Sequence, residues 1–168
     1  MVDYVFDSTN SFFNTGRAIS DFMAGTVKVK ADGHLISTGD FSVVGDLNWT
    51  ITILGSIGTY AAAKAGIFLG SPGLAIASSL IIGADGDLFG TNVGLYVQHR
   101  TNVVNAGSIS ATTGDGILET ANAIGNYKIT NSGIIVGGNN GMSLLGAGIH
   151  TTYFQEQTRT SITASQRQ

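Results

Sequence analysis

The sequence predicts an all-β, single-domain parallel β-solenoid (β-helix) of about five coils, opened by a short aromatic and helical segment. Three observations predict it: an internal repeat close to 26 residues, apolar runs too short for helices, and an unusual composition. Of 168 residues, 24 are Gly, one is Pro and none is Cys.

The repeat comes first. Four segments superimpose: Ile53 to Ile57, Ser78 to Ile82, Asn105 to Ile109 and Asn131 to Ile135. Their anchoring residues Ile57, Ile82, Ile109 and Ile135 stand 25, 27 and 26 residues apart. A second apolar anchor follows each one: Gly66-Ile67-Phe68-Leu69, Gly94-Leu95-Tyr96-Val97, Gly116-Ile117-Leu118 and Gly141-Met142-Ser143-Leu144. Residues Val27 to Ile36 form a looser, earlier copy. A fixed period of this size is the signature of stacked repeats.

Within each unit the apolar residues alternate over three to five positions, as in Ile51/Ile53 and Leu95/Val97. Gly, Asn, Ser or Asp then interrupts them, which is the signal of short strands between turns. Two or three such strands per unit make one coil, rising by one strand spacing of about 4.8 Å. Glycine is expected to supply positive-φ corners. The scarcity of Pro fits strands that must donate N–H groups on both sides. Asn105 and Asn131, with Ser78 at the matching place one coil earlier, are read as a coil ladder of stacked polar side chains. A β-sandwich with glycine-rich hairpins is the competing architecture.

The pattern Asn-x-Gly-x-Ile followed by Gly-Ile resembles the repeats of bacterial right-handed parallel β-helices. It stands at Asn105 to Ile109 with Gly116-Ile117, and at Asn131 to Ile135 with Gly141-Met142. Such repeats occur in autotransporter passengers, filamentous adhesins and haemolysin-type secreted proteins. The resemblance spans roughly residues 50–149 and implies an extracellular, self-associating or adhesive role. The Gly-Gly-x-Gly-x-Asp calcium repeats of the haemolysin type are absent from the sequence.

Composition narrows the function. Charged residues make up 11% of the chain and the net charge is −3, so no basic surface calls for nucleic acid. Without Cys there is neither thiol catalysis nor Cys-ligated zinc. No apolar run approaches the ~20 residues of a membrane-spanning helix. The first residues lack the basic and apolar regions of a signal peptide. The expected location is extracellular or at the cell surface, by export without an N-terminal signal, with the cytoplasm as the alternative.

The ends differ from the middle. Residues 1–25 hold Tyr4, Phe6, Phe12, Phe13 and Phe22, and the stretch Ser11 to Ala24 is expected to form a short amphipathic helix. This segment is expected to cap the first coil or dock a neighbouring subunit. Coils occupy 26–149, and 150–168 form a C-terminal strand, which includes Tyr153 and Phe154, and a polar tail. Neither end carries a strongly charged coil or a blunting Pro, so little opposes end-to-end stacking.

Candidate chemistry is sparse. Asp85 and Asp87 are candidate Ca²⁺ ligands in a polar arc that is expected to bulge from the rod, although a plain turn with two solvated acids is the preferred reading. No nucleophile elbow is present, and His34, His99 and His150 are scattered. At a 26-residue shift Asp115 and Glu119 meet Gly141 and Leu145, so no catalytic carboxylate pair emerges and no small-molecule substrate is indicated. Trp49 and Tyr60 are candidate sugar platforms or packing residues. The expectation is therefore a non-enzymatic structural subunit, without a required cofactor, whose partner is itself. It would form an extracellular filament or matrix fibre through Tyr4, Phe6, Phe12, Phe13, Phe22, Tyr153 and Phe154. The alternatives are an adhesin binding glycan or Ca²⁺, and behind it a polysaccharide-degrading enzyme.

Overall fold

The computed structural model describes residues 1–21, 23–70, 77–124, 126–146 and 150–154. Among them there is no helix, and every strand pairing is parallel. The chain winds as a β-solenoid of about six turns, one more than the repeats indicate.

Each coil contributes one strand to each of three faces. The first face stacks β1 (Val2–Phe6), β4 (Gly25–Val29), β7 (Trp49–Ile53), β10 (Ala77–Ile82), the end of β12 (Val93–Asn105), β15 (Tyr127–Asn131) and β18 (His150–Phe154). The second holds β2 (Phe12–Asn14), β5 (His34–Ser37), β8 (Ser56–Thr59), β11 (Asp87–Gly90), β13 (Ser108–Ala111) and β16 (Ile134–Val136). The third holds β3 (Ile19–Asp21), β6 (Val43–Gly45), β9 (Ala65–Leu69), the start of β12, β14 (Asp115–Ile124) and β17 (Met142–Leu144). At about 4.8 Å per coil the body is roughly 30 Å long. β12 is continuous from the third face to the first, with a bulge between Val97 and His99 where it bends round the corner.

Alternate residues point inward and stack in columns. One runs Val27, Ile51, Leu80, Val103, Ile129; another runs Leu35, Ile57, Leu88, Ile109, Ile135. A third runs Ile19, Val43, Ile67, Leu95, Ile117, Met142. All but Met142 are buried, and each fully buried Leu or Ile stabilises the rod by about 1.5–3 kcal/mol relative to exposure.

The register corrects the repeat alignment. Ile82 does not stack with Ile57 and Ile109; Leu88 does. Ile82 pairs instead with Ile53 and Asn105, and Ser78 pairs with Thr101 rather than standing in the Asn105 ladder. The reason is one long coil: Ile57 to Leu88 spans 31 residues, and a 25-residue step from Ile57 falls on another inward position by coincidence.

The expected helix over Ser11 to Ala24 is not formed. Its residues make β2 and β3, because Phe12 and Ile19 fall in register with Leu35 and Val43 and complete a first coil. Tertiary pairing overrides local propensity here. Residues 2–21 are thus a turn of the solenoid itself rather than a separate cap.

Glycine also acts differently from expectation. Among the described glycines from Gly16 to Gly141 none has a left-handed φ, and the described non-glycine residue with a positive φ is Ala63, at 61°. Gly33, Gly55, Gly86, Gly107 and Gly133 are required by close approach at the corner between the first and second faces. A Cβ on any of them would strike backbone of the coil below, such as the Gly33 carbonyl beneath Gly55 or the Gly86 carbonyl beneath Gly107. That proximity lets the next residue donate across the coils, as Ser56 N–H does to Gly33 (3.1 Å) and Ser108 N–H to Gly86 (2.9 Å).

Candidate functional site: two open ends and a buried polar corner

The geometry singles out two features, the strand edges at the ends and a polar corner inside the later coils. Among the described residues β1, β2 and β3 each pair on one side only, as do β16, β17 and β18. Each such strand leaves a row of N–H and C=O groups without a neighbouring strand.

At the first end Tyr4, Phe6 and Phe12 point inward and pack on the core, half-buried because no coil lies beyond them among the described residues. Tyr4 stacks on Phe6 at 6.5 Å and on Trp49 at 6.4 Å. Trp49 reaches Tyr4 past Gly25, where a side chain would meet the indole ring. Phe13 faces outward instead, 65% exposed beside the His34 ring. Phe22 lies outside the described residues, as does the polar tail 155–168. At the other end Tyr153 and Phe154 are exposed, and Lys128 Nζ lies 5.6 Å from the Tyr153 ring.

The structure separates the other candidates. Asp85 sits exposed in the turn before β11, and Asp87 begins that strand, paired between Ser56 and Ser108. The segment around them is therefore a strand of the second face and not a bulged loop. Among the described residues there is no group of three or more His, Asp or Glu side chains able to hold a metal ion. Asn105 Nδ2 donates to Asn131 Oδ1 at 2.6 Å and to the Ile134 carbonyl at 3.1 Å, while Asn131 Nδ2 donates to the Gly133 carbonyl. Trp49 is core, whereas Tyr60 is exposed against Phe89.

Sequence reasoning missed the interior corner between the third and first faces. Its column runs Gly25, Trp49, Ser78, Thr101, Tyr127, His150. His99 and Glu119 lie beside it, both fully buried. Ser78 Oγ stands 2.9 Å from His99 Nε2 and accepts the Trp49 N–H at 3.1 Å. Burial holds the His99 imidazole down to about 4, so it is neutral at pH 7. A Ser–His pair of this kind resembles a nucleophile with its base, but both residues are closed to solvent and His99 Nδ1 has no partner to orient it.

Nearer the end, His150 Nε2 lies 2.6 Å from Glu119 Oε2, and the Tyr127 ring packs on the imidazole at 5.6 Å. Burial raises the Glu119 carboxyl above its usual range, opposed by His150, the Gly146 N–H and Tyr127. Burial and the facing carboxylate together push the Tyr127 phenol up, so it stays protonated. Neither Glu119 oxygen nor the Tyr127 hydroxyl completes a well-directed hydrogen bond. These positions escaped the sequence because Glu119 meets a residue round a corner, one full coil and part of another away. A shift by one repeat cannot find that partner.

No protein family, curated protein or solved structure matches the chain. Among the described residues no helix is long and apolar enough to cross a membrane, which leaves strand-built spans unaddressed.

Proposed function

We propose that the protein is a structural subunit that joins end to end with copies of itself into an extracellular filament or matrix fibre. One observation carries the reading: both ends of the described rod present parallel strand edges of the same three-faced cross-section. A second copy of the chain is the surface that best matches those edges, because it continues the strand spacing and the inward columns. In this reading the half-buried Tyr4, Phe6 and Phe12 become core residues at the joint.

Electron microscopy and sedimentation over rising protein concentration test it. Rods growing in length with concentration are expected, and Val5→Lys, on the outer side of β1 where Val5 is 47% exposed, is expected to shorten them. Monodisperse single particles at millimolar concentration would reject the proposal.

A further inference from the structure

We infer that Glu119 and His150 form a proton-operated latch that docks β18 onto the rod, so that acidity sets whether that end offers an ordered strand edge. The latch stands on the contact between the two side chains and on the burial of Glu119; its consequence for growth rests on the end-to-end reading above.

β18 is the last described strand, held by its ladder to β15, and all of its side chains are at least partly exposed. His150 is its polar anchor into the interior: its side chain is 23% exposed, and the Glu119 side chain it reaches is 0% exposed. Three elements meet there. β14 supplies Glu119, β15 supplies the Tyr127 ring and hydroxyl, and β18 supplies the imidazole. The other charged or titratable groups nearby are committed elsewhere. On β15, Lys128 turns outward to the Tyr153 ring; on β12, His99 is bonded to Ser78; on β14, Asp115 accepts the side-chain amides of Asn139 and Asn140.

His150 Nε2 and Glu119 Oε2 approach to 2.6 Å without the angle of a directed hydrogen bond, a separation at which two lone pairs repel and a proton on either atom relieves the repulsion. While the pair holds its shared proton, either as imidazolium with carboxylate or as imidazole with carboxylic acid, it is neutral overall and tolerable in the interior. Loss of that proton leaves one net negative charge in the buried corner, faced by the neutral donors of His150, Gly146 and Tyr127 and by no counter-charge. A buried charge without compensation is strongly unfavourable. Its cheapest relief is for β18 to lift and let water reach Glu119. Burial has already raised this carboxyl's proton affinity, so the docked state binds more protons than the open one. Docking is therefore favoured below the Glu119 transition and lost as pH rises through it.

Hydrogen exchange on the full chain, below its assembly concentration, reads the latch directly. Protection of the β18 amides is compared with that of the β7 amides between about pH 5 and 9, after correction for intrinsic rates. In the wild type the ratio is expected to fall about tenfold or more with rising pH, and in Glu119→Gln to stay flat. Should Glu119→Gln fail to fold, His150→Gln on the peripheral strand serves instead: β18 protection is expected to be low at pH 7 and to recover only in acid. A pH-independent ratio in the wild type, or an unchanged profile in either variant, overturns the latch. Fibre growth measured in parallel separates the two ideas, because absent fibres with an intact exchange profile reject the assembly reading and leave the latch standing.

Discussion

The coils up to β9 and the coils from β10 onward share one ladder of parallel strands but enclose different interiors. In the earlier coils the buried polar side chains are Ser37, Ser42 and Thr59, all hydrogen-bonded at a corner: Ser37 Oγ accepts the Asp40 N–H, Ser42 Oγ donates to the Gly58 carbonyl, and Thr59 Oγ1 donates to the Asp40 carbonyl. In the later coils His99, Asp115 and Glu119 are buried, with Ser78, Thr101, Asn105 and Asn131. Among the described residues, buried side-chain atoms without a directed hydrogen bond concentrate there too: His99 Nδ1, Asn105 Oδ1, both Glu119 oxygens, Thr120 Oγ1, the Tyr127 hydroxyl and His150 Nε2, against Trp49 Nε1 in the earlier coils. The parallel ladder and its three apolar columns run through both halves, and it is the side chains at the corners that diverge. The later coils have given up apolar burial for groups that titrate, which is a poor way to gain stability.

The contrast is sharpest within a single column, where Trp49 and Tyr127 both point into the same corner. Trp49 is 1% exposed, and its ring lies between Gly25 and Gly45 and against Tyr4. Trp49→Ala is expected to destabilise by about 3–5 kcal/mol, because three coils surround the resulting cavity. Tyr127→Phe keeps the ring and removes a hydroxyl that has no well-directed partner, so chemical denaturation should show little change or a small gain. Equal losses in the two variants would dissolve the comparison.

A second effect is the acid response of the later coils. An unfolded His99 takes up a proton near 6.5, but the buried imidazole resists until about 4. The unfolded state thus binds more protons between those values, and stability falls as pH drops through them. The loss is expected to be about 3 kcal/mol in urea titrations, and His99→Leu should flatten it. Its sign is opposite to that of the Glu119 latch, which tightens in acid. As pH falls, global stability is therefore expected to drop while β18 docks more firmly. Parallel movement would show that one of the two buried groups is misassigned.

A third comparison swaps one interior for the other. In the column Val29, Ile53, Ile82, Asn105, Asn131 the residue type changes halfway along an unbroken register. Asn131→Ala removes one of the two acceptors of the Asn105 amide and leaves it the Ile134 carbonyl, at an expected cost of about 1–2 kcal/mol. The double variant Asn105→Ile/Asn131→Ile extends the apolar column and should be close to neutral. A double variant worse than the single would mean that the amide pair sets the register.

Much of the fold was legible in the residues, and the site was not. The steps Ile67, Leu95, Ile117 and Met142 follow the repeat, and the β-solenoid follows from them. The misplacement of Ser78 and Ile82 came from one long coil, since alternation shows which residues point inward but not which coil corner they occupy. Phe12 and Ile19 looked helical because their partners, Leu35 and Val43, lie a coil away. The Glu119–His150 contact depends on how the chain turns a corner, and corner geometry leaves no periodic trace.

The smallest expected effect lies on the outside of the apolar half. Asp7 accepts the Thr9 hydroxyl at 2.6 Å and the Thr9 N–H at 3.0 Å, and its Oδ2 lies 3.0 Å from Lys30 Nζ on the next coil. The Thr9 hydroxyl, ahead of Lys30, holds its carboxyl down to about 2. The stabilisation from this ion is therefore complete above 3.8 and fades as pH falls towards 2. Solvent surrounds the pair and screens it, so Asp7→Asn should leave stability at pH 7 nearly unchanged and remove only a shallow acid slope. Added salt should shrink even that slope, whereas it should hardly touch the His99 response, which arises from burial. A salt-sensitive His99 response would place that imidazole nearer to water than the apolar columns around it allow.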